Sequence, residues 1–194
     1  MAPDSWKEVC KVDFAAQSGS NIQFQALTET IDIDLADKDI EGIALVNGGR
    51  VAKYVPQGDT EITLECYPVQ AGTSSGTIGY GFFGMFCTED TSQPISITND
   101  RTRNNYRLAI LWTDSSAVTA ASDAVNTGNA FRFVAADGYL TSVKPSFTDS
   151  ILKFTVKYKV TAFDKSANGN MKYESIDNTG TLAALAAYTS SAKW

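Results

Sequence analysis

Four carboxylates stand at alternate positions in this chain and are the side chains most able to do chemistry. They are Asp32 and Asp34 in Ile31-Asp32-Ile33-Asp34-Leu35, and Glu61 and Glu65 in Glu61-Ile62-Thr63-Leu64-Glu65. Paired carboxylates can transfer protons or hold Ca²⁺, but only where several converge in a concave, partly dry setting. Alternation with a period of two does something else: it lines the wet face of a half-buried strand with acids while the other face stays dry. Leu152-Lys153-Phe154-Thr155-Val156-Lys157-Tyr158-Lys159-Val160 repeats the pattern with lysines. If acidic and basic strands are neighbours, cross-strand pairs such as Asp34 with Lys157 help set the register, each by about a few tenths of a kcal/mol.

Other residue types narrow the chemistry further. The sequence has no histidine, which removes Ser-His-Asp and Cys-His nucleophile pairs and His-ligated metals together. Cys10, Cys66 and Cys87 show no C-x-x-C spacing, so reduced core thiols are expected rather than a disulfide framework or a zinc site. Gly76-Thr77-Ile78-Gly79-Tyr80-Gly81 lacks the lysine and spacing of a phosphate-binding loop. Arg101, Arg103 and Arg107 offer an anion-binding loop, with a solvated turn or cross-subunit ion pairs as the plainer reading. No catalytic residue, metal or cofactor is expected.

The net charge of −6 and a pI near 4.6 argue against a protein that coats duplex DNA, since such proteins neutralise phosphates with Lys and Arg. The first residues lack the basic-then-apolar pattern of a secretion signal, and no run of apolar residues is long enough to span a membrane.

The elements that position these side chains read as strands. Residues 1–20 form an extended arm, followed by strands near 22–27 and 29–35. Residues 36–59 form a protruding loop or hairpin, because Asn47-Gly48-Gly49 tolerates the positive φ of a tight turn. Strands follow near 60–69, 94–98, 105–113, 130–136, 139–145, 151–163 and 171–176, with a short helix at 78–87. Asp137-Gly138 is a strong two-residue hairpin signal. Residues 114–129 read as a loop, and 178–194 as a second arm. Trp6 and Trp194, at the two termini, are expected to dock on the chain's own body or on a neighbouring subunit.

Three stretches together carry a resemblance. DIEGIALVNGGRVAKYVPQGDTEITLECYPV at 39–69 and YLTSVKPSFTDSILKFTVKYKVTAFD at 139–164 resemble the major tail tube proteins of long-tailed viruses of bacteria and archaea, and the Gly- and Phe-rich segment at 78–87 falls where that fold carries its helix. The resemblance implies an all-β fold of two roughly orthogonal antiparallel sheets, a sandwich or partial barrel, with one short flanking helix and a long protruding loop. The tube domain is then 21–177. It implies hexameric rings that stack into a tail tube, housing the tape-measure protein and conducting viral DNA without sequence-specific binding. Tail terminator and distal tail or baseplate proteins are the further partners, and the place is the virion tail, assembled in the host cytoplasm without a membrane. On this reading Asp32, Asp34, Glu61 and Glu65 line the lumen, while Glu41, Arg50, Lys53 and Tyr54 make contacts between rings.

Rival readings are the inner tube of a contractile injection apparatus, a carbohydrate-binding β-sandwich with aromatic platforms, a capsid decoration protein, and a carboxylate-based metal hydrolase.

Overall fold

A computed structural model of the chain describes residues 9–17, 21–36, 40–54, 58–67, 105–148 and 151–194. The helix expected at 78–87, the strand at 94–98, and the side chains of Trp6, Cys87, Arg101 and Arg103 lie outside them. Among the described residues the chain is all-β, with no helix. Its strands are β1 (Val9–Ala16), β2 (Asn21–Asp34), β3 (Ile40–Ala44), β4 (Arg50–Tyr54), β5 (Thr60–Tyr67), β6 (Tyr106–Thr113), β7 (Ala130–Thr148), β8 (Ile151–Val160) and β9 (Met171–Ile176).

Two antiparallel sheets result. The larger runs β6-β1-β2-β5-β8-β7-β9, and the smaller is the β3-β4 hairpin. Because β6 pairs with β1 on one side and with β7 on the other, the larger sheet closes on itself, with β9 added beside the first half of β7. Closure removes most of the unpaired backbone that an open sheet would present. Two strands make the corners by changing partners along their length. β2 pairs with β1 over Asn21 to Gln25 and with β5 at Gln25 and Ala26 and, past a register irregularity, over Ile31 to Asp34. β7 pairs with β6 up to Gly138 and with β8 from Tyr139 onward.

The alternation seen in the sequence determines what fills the enclosed space. Val12, Phe14, Ile62, Leu64, Leu108, Ile110, Val156 and Tyr158 point inward and are fully buried. A second apolar cluster lies outside the sheet, where Ala109, Leu111, Ala130 and Val134 on the outer face of β6 and β7 are covered by Val118, Ala121 and Val125 of the 114–129 loop and by Leu182 of the tail. Both faces of β6 are therefore dry, which is why its sequence, YRLAILWT, does not alternate.

Several expectations are corrected. The N-terminal arm was expected to reach residue 20, but Val9–Ala16 is β1, paired on both sides and carrying buried Cys10, Val12 and Phe14. The two strands expected at 22–27 and 29–35 are the single strand β2, with a register irregularity between Ala26 and Ile31 near the expected break. Asp137-Gly138 closes no hairpin. It is a bulge inside β7, where Asp137 takes a left-handed φ of 58° and the register against β6 shifts between Tyr106 and Leu108. The local conformation was legible, but residues 139–148 fold against β8 rather than back onto 130–136. Lastly, the tail is no free arm: Leu182 bridges to Val125, and Tyr188 is buried beside Ala15 and Ala136.

Candidate assembly surfaces

Register places the four acids on one outer face of the sheet. Asp34 stands opposite Glu61, Glu61 opposite Lys159, Asp32 opposite Thr63, and Thr63 opposite Lys157. Glu65 lies opposite Thr155, which lies opposite Lys144, and Lys153 lies opposite Ser146. The face therefore carries Asp32, Asp34, Glu61 and Glu65 with Lys144, Lys153, Lys157 and Lys159, a balance of charge rather than a uniformly acidic surface. Lys157 bonds Glu61 at 2.7 Å, and Lys159 lies 3.3 Å from Asp59. The expected Asp34–Lys157 cross-strand pair does not form, because β5 lies between β2 and β8. Nor do the acids gather around a hollow: among the described residues no group of three His, Cys, Asp or Glu could hold a metal ion.

Among the described residues this face ends in two margins. Among the described residues, β2 over Ile31 to Asp34 has β5 on one side and no strand on the other. β7 over 139–148 likewise has β8 on one side and no strand on the other. Pro145, which has no N–H to give a ladder, sits in that half of β7, in keeping with an edge strand.

The β3-β4 hairpin is a second surface. Glu41 lies opposite Lys53, Ile40 opposite Tyr54 and Ala44 opposite Arg50. Its turn is closed by Leu45 and Gly49, whose backbones bond at 2.7 Å, and Gly48 adopts φ 80° there. Ile40, Ile43, Leu45, Val46 and Val51 are all exposed, Val46 completely. Ile43 and Val51 face each other across the hairpin, and with Leu45 and Val46 at the turn they put large apolar side chains in the open, as interaction sites do. Sequence reasoning chose the charged positions here and passed over the apolar ones between them.

The sequence also gave no sign of a set of buried polar anchors. Arg107, read as part of a solvated basic turn, points outward from β6 but is buried under the tail, donating to the carbonyls of Ala186 at 2.7 Å and Lys193 at 3.3 Å. Burial lowers its pKa from the ordinary guanidinium value. Arg132, 1% exposed, holds the carboxylate of Glu174 at 2.6 Å and the carbonyls of Asp123 and Ala183. Asp13 accepts from both the backbone N–H and the hydroxyl of Ser122 at 2.8 and 2.6 Å, pinning the 114–129 loop, and its burial raises its pKa. At the far end, Lys193 reaches Asp137 and Asp164 at 2.8 Å each and Asn170 at 2.6 Å. Trp194 packs against the tail-covered clusters, with the Lys172 ammonium 5.0 Å from its ring.

No known protein family and no curated protein matches this chain by sequence. Solved structures with a related fold exist. A chain of the PVC extracellular contractile injection system, from its sheath–tube complex in the extended state, is 13% identical with a TM-score of 0.44, covering 85% of this chain and 88% of that one. The anti-feeding prophage cap that terminates its tube gives 8% and 0.42 over 85% and 88%. An Hcp protein gives 9% and 0.37 over 89% and 99%. At these identities and TM-scores the likeness is one of partial fold, and the functional reading rests on this chain's own surfaces.

Proposed function

We propose that this chain is a structural subunit that assembles with copies of itself into a tail tube. The observation that carries the reading is the presence of two distinct surfaces on one closed scaffold: the hairpin with exposed apolar side chains and the charged half-sheet, whose margins have no strand beside them among the described residues. A subunit joined to copies of itself head to tail needs two such surfaces, because the contact is heterologous and the interacting patches differ. The sequence resemblance of 39–69 and 139–164 to major tail tube proteins supports the same reading.

In the fuller form of the proposal, six copies make a ring and rings stack through the hairpin, with Glu41, Arg50, Lys53 and Tyr54 at the contact beside the apolar residues. The charged face lines the lumen. Its acids, Asp32, Asp34, Glu61 and Glu65, are balanced by lysines, so a tape-measure protein or viral DNA passes a surface that neither holds nor strongly repels phosphate. Terminator and distal tail proteins close the two ends, and the tube belongs to the tail of a virus-like particle.

Negative-stain electron microscopy of purified protein at low and high concentration, with and without tail-tip components as initiators, is the test. Rings or hollow tubes are the expected result. Monomers that stay monomeric with initiators supplied would overturn the reading and favour a binding module. A sheath protein offered to preformed tubes separates a contractile apparatus, which it would coat, from a non-contractile tail.

A further inference from the structure

Lys193 and Asn170 meet in an arrangement suited to covalent chemistry as well as to ion pairing. The Lys193 ammonium lies 2.6 Å from Oδ1 of Asn170 and 2.8 Å from Oδ2 of both Asp137 and Asp164. A nitrogen this close to a carbonyl oxygen sits within about 4 Å of the carbon behind it. The Asn170 amide is held in place. The residue is 1% exposed, and its Nδ2 donates to the carbonyl and the hydroxyl of Thr161 at 3.2 and 3.1 Å. Its backbone N–H donates to the Ala162 carbonyl at 3.0 Å, and its carbonyl accepts from the Ala136 N–H at 2.8 Å. Lys193 is anchored from its own side, since Arg107 donates to its carbonyl at 3.3 Å and residues 189–192 close a turn just before it. Amine, amide carbon and carboxylates are thus gathered in advance, which removes the largest entropic obstacle to joining two side chains.

We propose that Lys193 and Asn170 join without any added reagent in an isopeptide bond, with Asp137 carrying the proton. Asp137 first takes a proton from the ammonium, leaving a neutral amine. Nζ of Lys193 then attacks Cγ of Asn170, and the new N–C bond forms. Asp137 returns its proton to Nδ2, and the Cγ–Nδ2 bond breaks. The proton that Nζ sheds on becoming an amide leaves with the released nitrogen, as ammonium. No oxidant or cofactor is consumed, and the protein loses one positive charge. Asp164 is a positioning residue: its Oδ1 accepts from the backbone N–H groups of Ser166 and Asn168 at 2.8 and 2.9 Å, contacts that favour the carboxylate over the acid. Asp137 is instead aimed by the Tyr188 hydroxyl, 2.6 Å from its Oδ1. Burial favours the neutral amine of Lys193, but the two carboxylates prevail and keep it protonated, so the bond forms slowly and faster as pH rises. The structure shows the chain before the bond. Once formed, the bond closes a loop from 170 to 193 and fastens the tail over the outer face of β6 and β7, where Leu182 and Trp194 pack.

Intact-mass spectrometry of the full chain, incubated after purification at about pH 7 and about pH 9, is the test. The mass is expected to fall by one ammonia, several times faster at the higher pH. Trypsin should then yield residues 166–172 joined to 173–194, where the unlinked chain yields 166–172 alone. Lys193→Arg keeps the cation and should give no joined peptide. Asp137→Asn, which the left-handed φ of 58° tolerates, should slow the reaction by about tenfold or more and flatten its rise with pH. An unchanged mass at both pH values would overturn the proposal. So would an ammonia loss without the joined peptide, which marks cyclisation at an Asn-Gly pair such as Asn168-Gly169. An undiminished rate in Asp137→Asn would overturn the role given to Asp137. Thermal unfolding checks that both variants are folded, and should either fail, the joined peptide in the unaltered chain decides.

Discussion

Gly138 donates its backbone N–H to the hydroxyl of Tyr158 at 3.0 Å, and a side chain at position 138 would run into that same ring. The Tyr158 hydroxyl also bonds the Tyr106 carbonyl at 2.7 Å and approaches that of Ala135 at 3.1 Å, so one buried phenol ties β8 to β6 and to the bulge in β7. Burial pushes its pKa well above the ordinary phenol range, so the group stays a neutral donor. Gly138→Ala is expected to destabilise the chain by about 3 kcal/mol, because the ring has no room to move. Tyr158→Phe removes only the hydroxyl and is expected to cost about 1–3 kcal/mol. Urea unfolding measures both, and Gly138→Ala within about 0.5 kcal/mol of the parent would refute the packing argument.

Arg132 connects three segments distant in sequence: Glu174 on β9, the carbonyl of Asp123 in the loop and that of Ala183 in the tail. Arg132→Met leaves those acceptors facing an apolar side chain and is expected to cost about 3 kcal/mol, the lower end of the range for a broken buried ion pair since Glu174 is partly solvated. Adding Glu174→Gln should recover part of the loss.

Arg107 reaches two carbonyls of the tail, Ala186 and Lys193, and stacks 5.8 Å from the Tyr188 ring. With Arg107→Met, the tail should become the first site of proteolytic cleavage, with residues 182–194 released several times faster than from the parent. Mass spectrometry of a timed digest reads the result, and cleavage elsewhere first would show that the tail is held by its apolar contacts alone.

Asp164, Asp13 and Lys193 contribute to the pH dependence with different signs. The pKa of Asp164 is depressed, chiefly by its bond from the Lys193 ammonium and by backbone N–H donors, so its contribution is present above the ordinary value of 3.8 and is lost as pH falls below it. Asp13 is shifted upward by burial, so its ionisation opposes folding and stability declines as pH rises from 3.8 through its folded value. Burial tends to lower the pKa of Lys193, but Asp137 and Asp164 outweigh it and raise it; its contribution is full below 10.5 and is lost as pH climbs through the folded value. Lys193→Met should weaken the acid limb and the alkaline one, leaving in the latter the loss above pH 10.0 from Tyr158 and Tyr188, which burial holds neutral, and Asp13→Asn should flatten the decline just above pH 3.8. Melting temperatures across pH 2–12 test all three; an unchanged alkaline limb in Lys193→Met would sink the assignment.

Val46 is fully exposed at the hairpin turn, so Val46→Asp should change stability by less than about 0.5 kcal/mol. If the hairpin joins stacked rings, the same change should block tubes yet permit single rings. Electron microscopy distinguishes these outcomes, and tubes of normal length would show that the hairpin plays no part in stacking.

What the sequence determined by itself was local. Alternating Ile, Leu, Phe and Val in 61–65 and 152–160 assigned dry and wet faces, because strand side chains point to opposite sides whatever lies next to them. Asn47-Gly48-Gly49 and Asp137-Gly138 marked turns of the backbone because those residues tolerate positive φ. Whether such a turn closes a hairpin, as at Gly48, or bends one long strand, as at Asp137, depended on which strand lay alongside. The tertiary structure alone decided the neighbours, and with them the charges. It placed β5 between the acids of β2 and the lysines of β8, buried Arg107, Arg132 and Asp13 beneath a loop and a tail, and made β1 an interior strand rather than an arm. Those features arise from contacts between residues up to about a hundred positions apart, such as Asp13 with Ser122. A period of two encodes which face is dry but carries no information about what will cover it.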